Sequence, residues 1–166
     1  MKALVTSLVL ALSAGAFAES KVSSMSKNME PSQLDDLIRG EMAAVRTYDA
    51  ALEKVKDKKE LAKLKTIREN HVNAVAKLKT FATKDVAEDT KTSGAWGAFA
   101  TAYTKGANLI GNEAALKALQ QGEEHGINEY KEALDDDKIK PELKQMIRTQ
   151  FLPKQEEHIK TLKTFM

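Results

Sequence analysis

The stretch GEEHGINEY, residues 122–130, belongs to a helical apolar stripe that runs Leu116, Leu119, Ile127, Tyr130 and Leu134, yet its Glu123 falls where an apolar residue should stand. An earlier stretch, GEMAAVRTY at residues 40–48, repeats the arrangement, with the glycine, the glutamate and the tyrosine at the same spacing. A carboxylate on the core face of a helix needs a partner, because an ion buried without one is strongly disfavoured. Two such helices in one chain also indicate a duplication, and the duplication decides the fold.

An offset of 82 residues aligns Gly40 with Gly122, Glu41 with Glu123, Tyr48 with Tyr130 and Leu61 with Leu143, and each half closes on LKTF, at residues 78–81 and 162–165. Each half reads as a helical hairpin. Ser32 and Asp35 form a capping box that opens helix one, which runs to about Val55 with Leu34, Leu37, Ile38, Glu41, Val45, Tyr48 and Leu52 on its stripe. Asp57 caps helix two, which runs to about Ala82 with Leu64, Ile67, His71, Val75 and Leu78 on one face. A polar connection, residues 83–94, leads to AWGAFATAYTKGA, where Trp96, Phe99 and Tyr103 read as a short crossover helix. Helix three spans about Glu113 to Leu134; Pro141 suits the first turn of helix four, which runs to Phe165 with Leu143, Ile147, Phe151, His158 and Leu162 on its stripe. The fold expected is all-α: a ferritin-like four-helix bundle built from two helical hairpins joined by a crossover.

The remainder of the 166 residues sets the setting. MKALVTSLVLALSAGAFA reads as a signal peptide, residues 1–18, because its apolar run is shorter than the ~20 residues of a spanning helix and ends on small residues. Residues 19–31 read as a flexible leader and 32–166 as the bundle, in a periplasmic or secreted protein. The chain has no cysteine, which excludes disulfides and thiolate metal sites. Its formal net charge of +2, with lysines and acids interspersed, argues against a nucleic-acid partner. No membrane span is expected in the mature chain. A homo-oligomer is one further option, although no second apolar stripe demands it.

Glu41, His71, Glu123 and His158 are the polar residues on the four stripes, one per helix, and are the candidate ligands for iron, manganese or zinc. A ferritin-like di-iron site also needs two Glu-x-x-His pairs, and here Arg68 and Gln155 stand three residues before the histidines. Arg68, Tyr48, Tyr130 and Gln155 are therefore the expected polar partners in the core, with Arg68 placed to neutralise Glu41 or Glu123 without a metal. Counted from its turn, His158 lies several residues beyond Glu123, an offset of about 5 to 10 Å at ~1.5 Å rise per residue. Aligning the LKTF ends instead sets Gln155 opposite His71, so a symmetric two-metal site is not expected. His125 reads as a surface residue, Pro153 as a kink, and no nucleophile with a base, phosphate loop or HExxH is present.

LIRGEMAAVRTYDAAL, GAWGAF and GEEHGINEYKEAL resemble a bacterial ferritin-like four-helix-bundle family catalogued as domain of unknown function 2383, over about Gln33 to Phe165. The resemblance implies the fold and a bacterial origin; the family has no assigned reaction. The reading favoured is an exported, non-catalytic helical bundle of the cell envelope, a binding or stress-related module with a polar layer on Glu41, Arg68, His71 and Glu123. The alternative is a metalloprotein that holds iron, manganese or zinc in the bundle core and consumes an oxidant.

Overall fold

A computed structural model describes residues 32–83 and 112–165. The expected signal peptide, leader and crossover, with Trp96, Phe99 and Tyr103, lie outside the described residues. Helix α1 (Gln33–Leu52) starts on the expected capping box: the Ser32 hydroxyl accepts from the Asp35 amide at 3.2 Å and the Ser32 amide donates back to Asp35 at 3.4 Å. The Asp57 carboxylate accepts from the amides of Lys59 and Glu60 at 2.8 and 2.9 Å and opens α2 (Lys58–Lys79). Each cap satisfies otherwise orphaned donors and is worth about 1 kcal/mol. Helix α3 (Asn112–Asp135) is followed by a turn in which Ile139 is buried, and α4 (Pro141–Met146) begins with proline, whose missing N–H has no partner to lose there.

From α4 the same rod continues through a π-helical turn (Ile147–Phe151), where the Leu152 amide reaches back five residues to the Ile147 carbonyl, into α5 (Leu152–Lys163). Pro153 lies just inside α5 and cannot donate to the carbonyl four residues earlier. The wider π winding just ahead of it makes room for the ring.

The rods form a bundle of two hairpins, α1 on α2 and α3 on α4–α5. Tyr48 of α1 meets Glu123 of α3 while Glu41 meets Tyr130, so α1 and α3 run antiparallel. Contacts of Asn70 with His158 and of Lys77 with Gln150 make α2 antiparallel to the fourth rod. The chain therefore leaves α2 at one end of the bundle and enters α3 at the other. The core is in two parts: Leu37, Ile38, Leu78, Leu143 and Ile147 fill one end, and Val55, Leu64, Leu116, Leu119 and Leu162 fill the other. The charged residues of the stripes lie between them. Among the described residues, no helix is long and apolar enough to cross a membrane.

Candidate metal centre

The duplicated glutamates are both inside. Glu123 is 0% exposed, His71 1%, His158 and Gln155 3% and Glu41 5%, so the layer is buried and its charges are best met by neighbours. His71 is at its centre: Nδ1 lies 2.7 Å from Glu41 Oε2 and Nε2 lies 3.0 Å from Glu123 Oε1. A ring with a carboxylate on each nitrogen uses both N–H groups, which is the imidazolium form. Burial alone would lower the pKa of His71, but the Glu123 and Glu41 carboxylates outweigh it and hold the ring at about 10. For Glu123 burial pushes upward, and the charge of His71 with the hydrogen bonds from both histidines brings it down to about 2.

The tyrosines complete the layer across the hairpins. Tyr48 donates to Glu123 Oε1 at 2.5 Å and Tyr130 to Glu41 Oε1 at 2.8 Å; burial first, then the neighbouring carboxylates, raises both phenols well above their ordinary range. The Gln155 amide nitrogen donates to Glu41 Oε1 at 3.0 Å. His158 Nδ1 is 3.2 Å from Glu123 Oε2, and its Nε2 is 3.0 Å from the Asn70 amide nitrogen, an arrangement met by a neutral ring that donates from Nδ1 and accepts at Nε2.

Two expectations need correction. Arg68 is not in the layer: its guanidinium pairs with Asp49 at the solvent edge of α1 and α2, and its side chain is 32% exposed. Three residues before His71 is about 60° round the helix, and from there a long side chain reaches water and an exposed carboxylate without burying its charge. His158, in turn, is not displaced along the bundle but bonds directly to Glu123. The offset between the repeats grows from 82 residues at Leu61 and Leu143 to 84 at Leu78 and Leu162. The π turn lies inside that interval and winds surplus chain into the rod.

With the offset of 84, Gln155 is the counterpart of His71, and it occupies that place, bonded to Glu41 as His71 is to Glu123. Its Oε1 is buried against Gly126 and has no hydrogen-bond partner among the described residues. Sequence reasoning missed Asn70, which holds His158, and Gly126, where a Cβ would come within 2.7 Å of Gln155 Oε1. Residue 70 is one step from His71 and faces the fourth rod, a clue that only the assembled bundle makes readable. His125 is partly buried and contacts Glu129 at 3.1 Å, apart from the layer.

Three residues suit a metal ion. His71, Glu123 and His158 each offer a ligand atom, from α2, α3 and α5, and these atoms lie within 4.8 Å of one another. Two imidazoles and a carboxylate are the donor set of mononuclear iron and zinc sites. The surroundings fit too, since Glu41 would keep the Nδ1–H of His71 and leave Nε2 to bind, as carboxylates do behind metal-bound histidines. Glu41, His71, Gln155 and His158 also line a cleft of about 520 Å³ between α2 and the fourth rod, with Lys77 and Lys154 at its rim.

No curated protein and no solved structure matches the chain. One family model does, over residues 29–136, more than half of the chain. Since that match takes in α1, α2 and α3, and with them Glu41, His71 and Glu123, the chain belongs to the family described as Domain of unknown function (DUF2383).

Proposed function

We propose that the bundle binds one divalent transition-metal ion, iron(II), manganese(II) or zinc(II), on His71, Glu123 and His158. The observation that carries the reading is the convergence of these three donors, all buried, from three helices. Arg68, the residue expected to make a metal unnecessary, is occupied by Asp49 at the surface. A bound ion would supply a Lewis-acid or redox centre with coordination positions to spare. The chain's part is positioning: Glu41 orients His71, Tyr48 fixes Glu123, and Asn70 holds His158, its amide able to turn and present oxygen once Nε2 carries the proton.

A second reading is supported by the hydrogen bonds themselves. Without metal, an imidazolium between two carboxylates already meets the needs of Glu41, His71 and Glu123, so the layer also works as a polar core of a binding or stress-related module. In both readings the signal-peptide-like pattern of residues 1–18 supports an exported protein of the cell envelope.

Elemental analysis of protein purified without chelator, followed by calorimetric titration with each ion under anaerobic conditions, separates the two. The metal reading expects one ion per chain, lost in Glu123→Gln and in His158→Ala. A protein that contains no metal and melts at one temperature with and without all three ions would leave only the polar-core reading.

A further inference from the structure

The cleft lies where the internal symmetry of the molecule leaves a side chain out. Under the offset of 84 residues, His71 maps onto Gln155, Leu78 onto Leu162, and Ala74 onto His158. His158 fills its own place by contacting Glu123 and Asn70. The counterparts of those two neighbours are Glu41, at the offset of 82 that relates α1 to α3, and Lys154, at the offset of 84, and Glu41, Ala74 and Lys154 all line the cleft. The open volume between α2 and the fourth rod is thus the seat of an imidazole that the first hairpin does not supply.

Its chemistry is set by what remains. Glu41 is the most exposed member of the layer and is served by three donors, His71, Tyr130 and Gln155; its Oε2 accepts only the first of these, so it has capacity for another. Further out, Lys77, which donates to Gln150 at 2.8 Å, and Lys154, which pairs with Glu157 at 2.6 Å in an exposed contact that a second anion can share, supply cationic groups about the mouth. We infer that this cleft binds a small molecule with an imidazole-type N–H donor head, which lands on Glu41 beside Ala74, and an acidic tail that reaches the two lysines. The inference does not depend on the metal, because the head group meets Glu41 and not the His71, Glu123 and His158 set.

The test is an amide NMR titration of the full chain, held metal-free by chelator, with imidazole and then with imidazole-4-acetate. Imidazole should bind saturably, with a Kd of about 1–10 mM as befits so small a ligand, and shift the resonances of Ala74, Tyr130, Lys154 and Gln155. Filling the seat with Ala74→Leu or Ala74→His should weaken binding at least tenfold, with the melting transition of each variant checked so that one folded variant decides. The acetate should bind several-fold tighter, and Lys77→Gln with Lys154→Gln should remove that advantage. Shifts that do not saturate, or binding undiminished in a folded Ala74 variant, would overturn the pocket. An acetate no tighter than imidazole would overturn the role given to the lysines.

Discussion

Tyr48 on the first hairpin gives its hydroxyl to Glu123 on the second at 2.5 Å, and Tyr130 returns the same bond to Glu41 at 2.8 Å. Each repeat thus stabilises the carboxylate of the other, and the pair ties the hairpins at mid-height. Hydrogen bonds to charged groups contribute about 1.5–3 kcal/mol, so Tyr48→Phe and Tyr130→Phe should each lower the unfolding free energy by about that much. Denaturant unfolding of metal-free protein measures it. A loss under half a kcal/mol in both variants would mean that the phenols only fill space.

Arg68 provides the contrast. Its partner Asp49 is half exposed, and exposed pairs are worth about 0–1 kcal/mol, so Arg68→Ala should cost no more than that and leave metal affinity unchanged. Glu41→Ala should behave differently, because it takes away the acceptor of His71, Tyr130 and Gln155 together and leaves buried donors unmet. A drop of several kcal/mol in Arg68→Ala would restore it to the core.

What the sequence disclosed and what it hid follow from the range of the forces involved. Stripes, caps and the duplication are local regularities, so the four rods, the Ser32 and Asp57 caps and the burial of Glu41, His71, Glu123 and His158 could be read from spacing alone. The LKTF alignment even set Gln155 in the place it occupies. The direction of the Arg68 side chain depends on a choice between Asp49 in water and Glu41 indoors, and helical periodicity carries no desolvation term to decide it. The level of His158 depends on a π turn, which winds chain differently from the uniform rise assumed in counting residues.

Gly126 and Gln155 make a separable pair. A methyl at residue 126 would meet the Gln155 amide within 3 Å, and that amide is held by Glu41, so Gly126→Ala has to displace it. The expected outcome is a net destabilisation of about 1 kcal/mol, the lost hydrogen bond outweighing the gain in helix propensity. In a Gln155→Ala background the obstacle is gone, and Gly126→Ala should then stabilise by about 0.5–1 kcal/mol. Equal effects in the two backgrounds would show that the glycine and the amide are not coupled.

The metal-free protein should lose stability at both ends of the pH scale. His71 is raised from 6.5 to about 10, so the folded state binds the extra proton between those values; its contribution is complete below 6.5 and lost as pH rises through about 10. Glu123 is lowered from 4.5 to about 2, so its contribution is complete above 4.5 and lost as pH falls towards 2. Unfolding midpoints in chelator should therefore decline from pH 7 to 10 and again below pH 4.5. Midpoints that climb between pH 7 and 10 would contradict the imidazolium at the centre of the layer.

Glu129 works in the opposite sense. Burial, then Glu41, Asp36 and Glu132, push its carboxyl up from 4.5 to about 7, and His125 beside it at 3.1 Å is itself held below its ordinary value by burial. A raised carboxyl means that the folded state holds the proton longer, so its ionisation subtracts stability as pH rises from 4.5 through about 7. Glutamine keeps the shape and a donor for His125 without the charge. Glu129→Gln should thus stabilise the protein at pH 7.5 by on the order of 1–2 kcal/mol, allowing for solvent screening at a side chain that is 21% exposed, and change little at pH 4.5. Paired denaturation curves at the two pH values check this, and a variant less stable than the parent at pH 7.5 would mean that the charge is welcome where it stands.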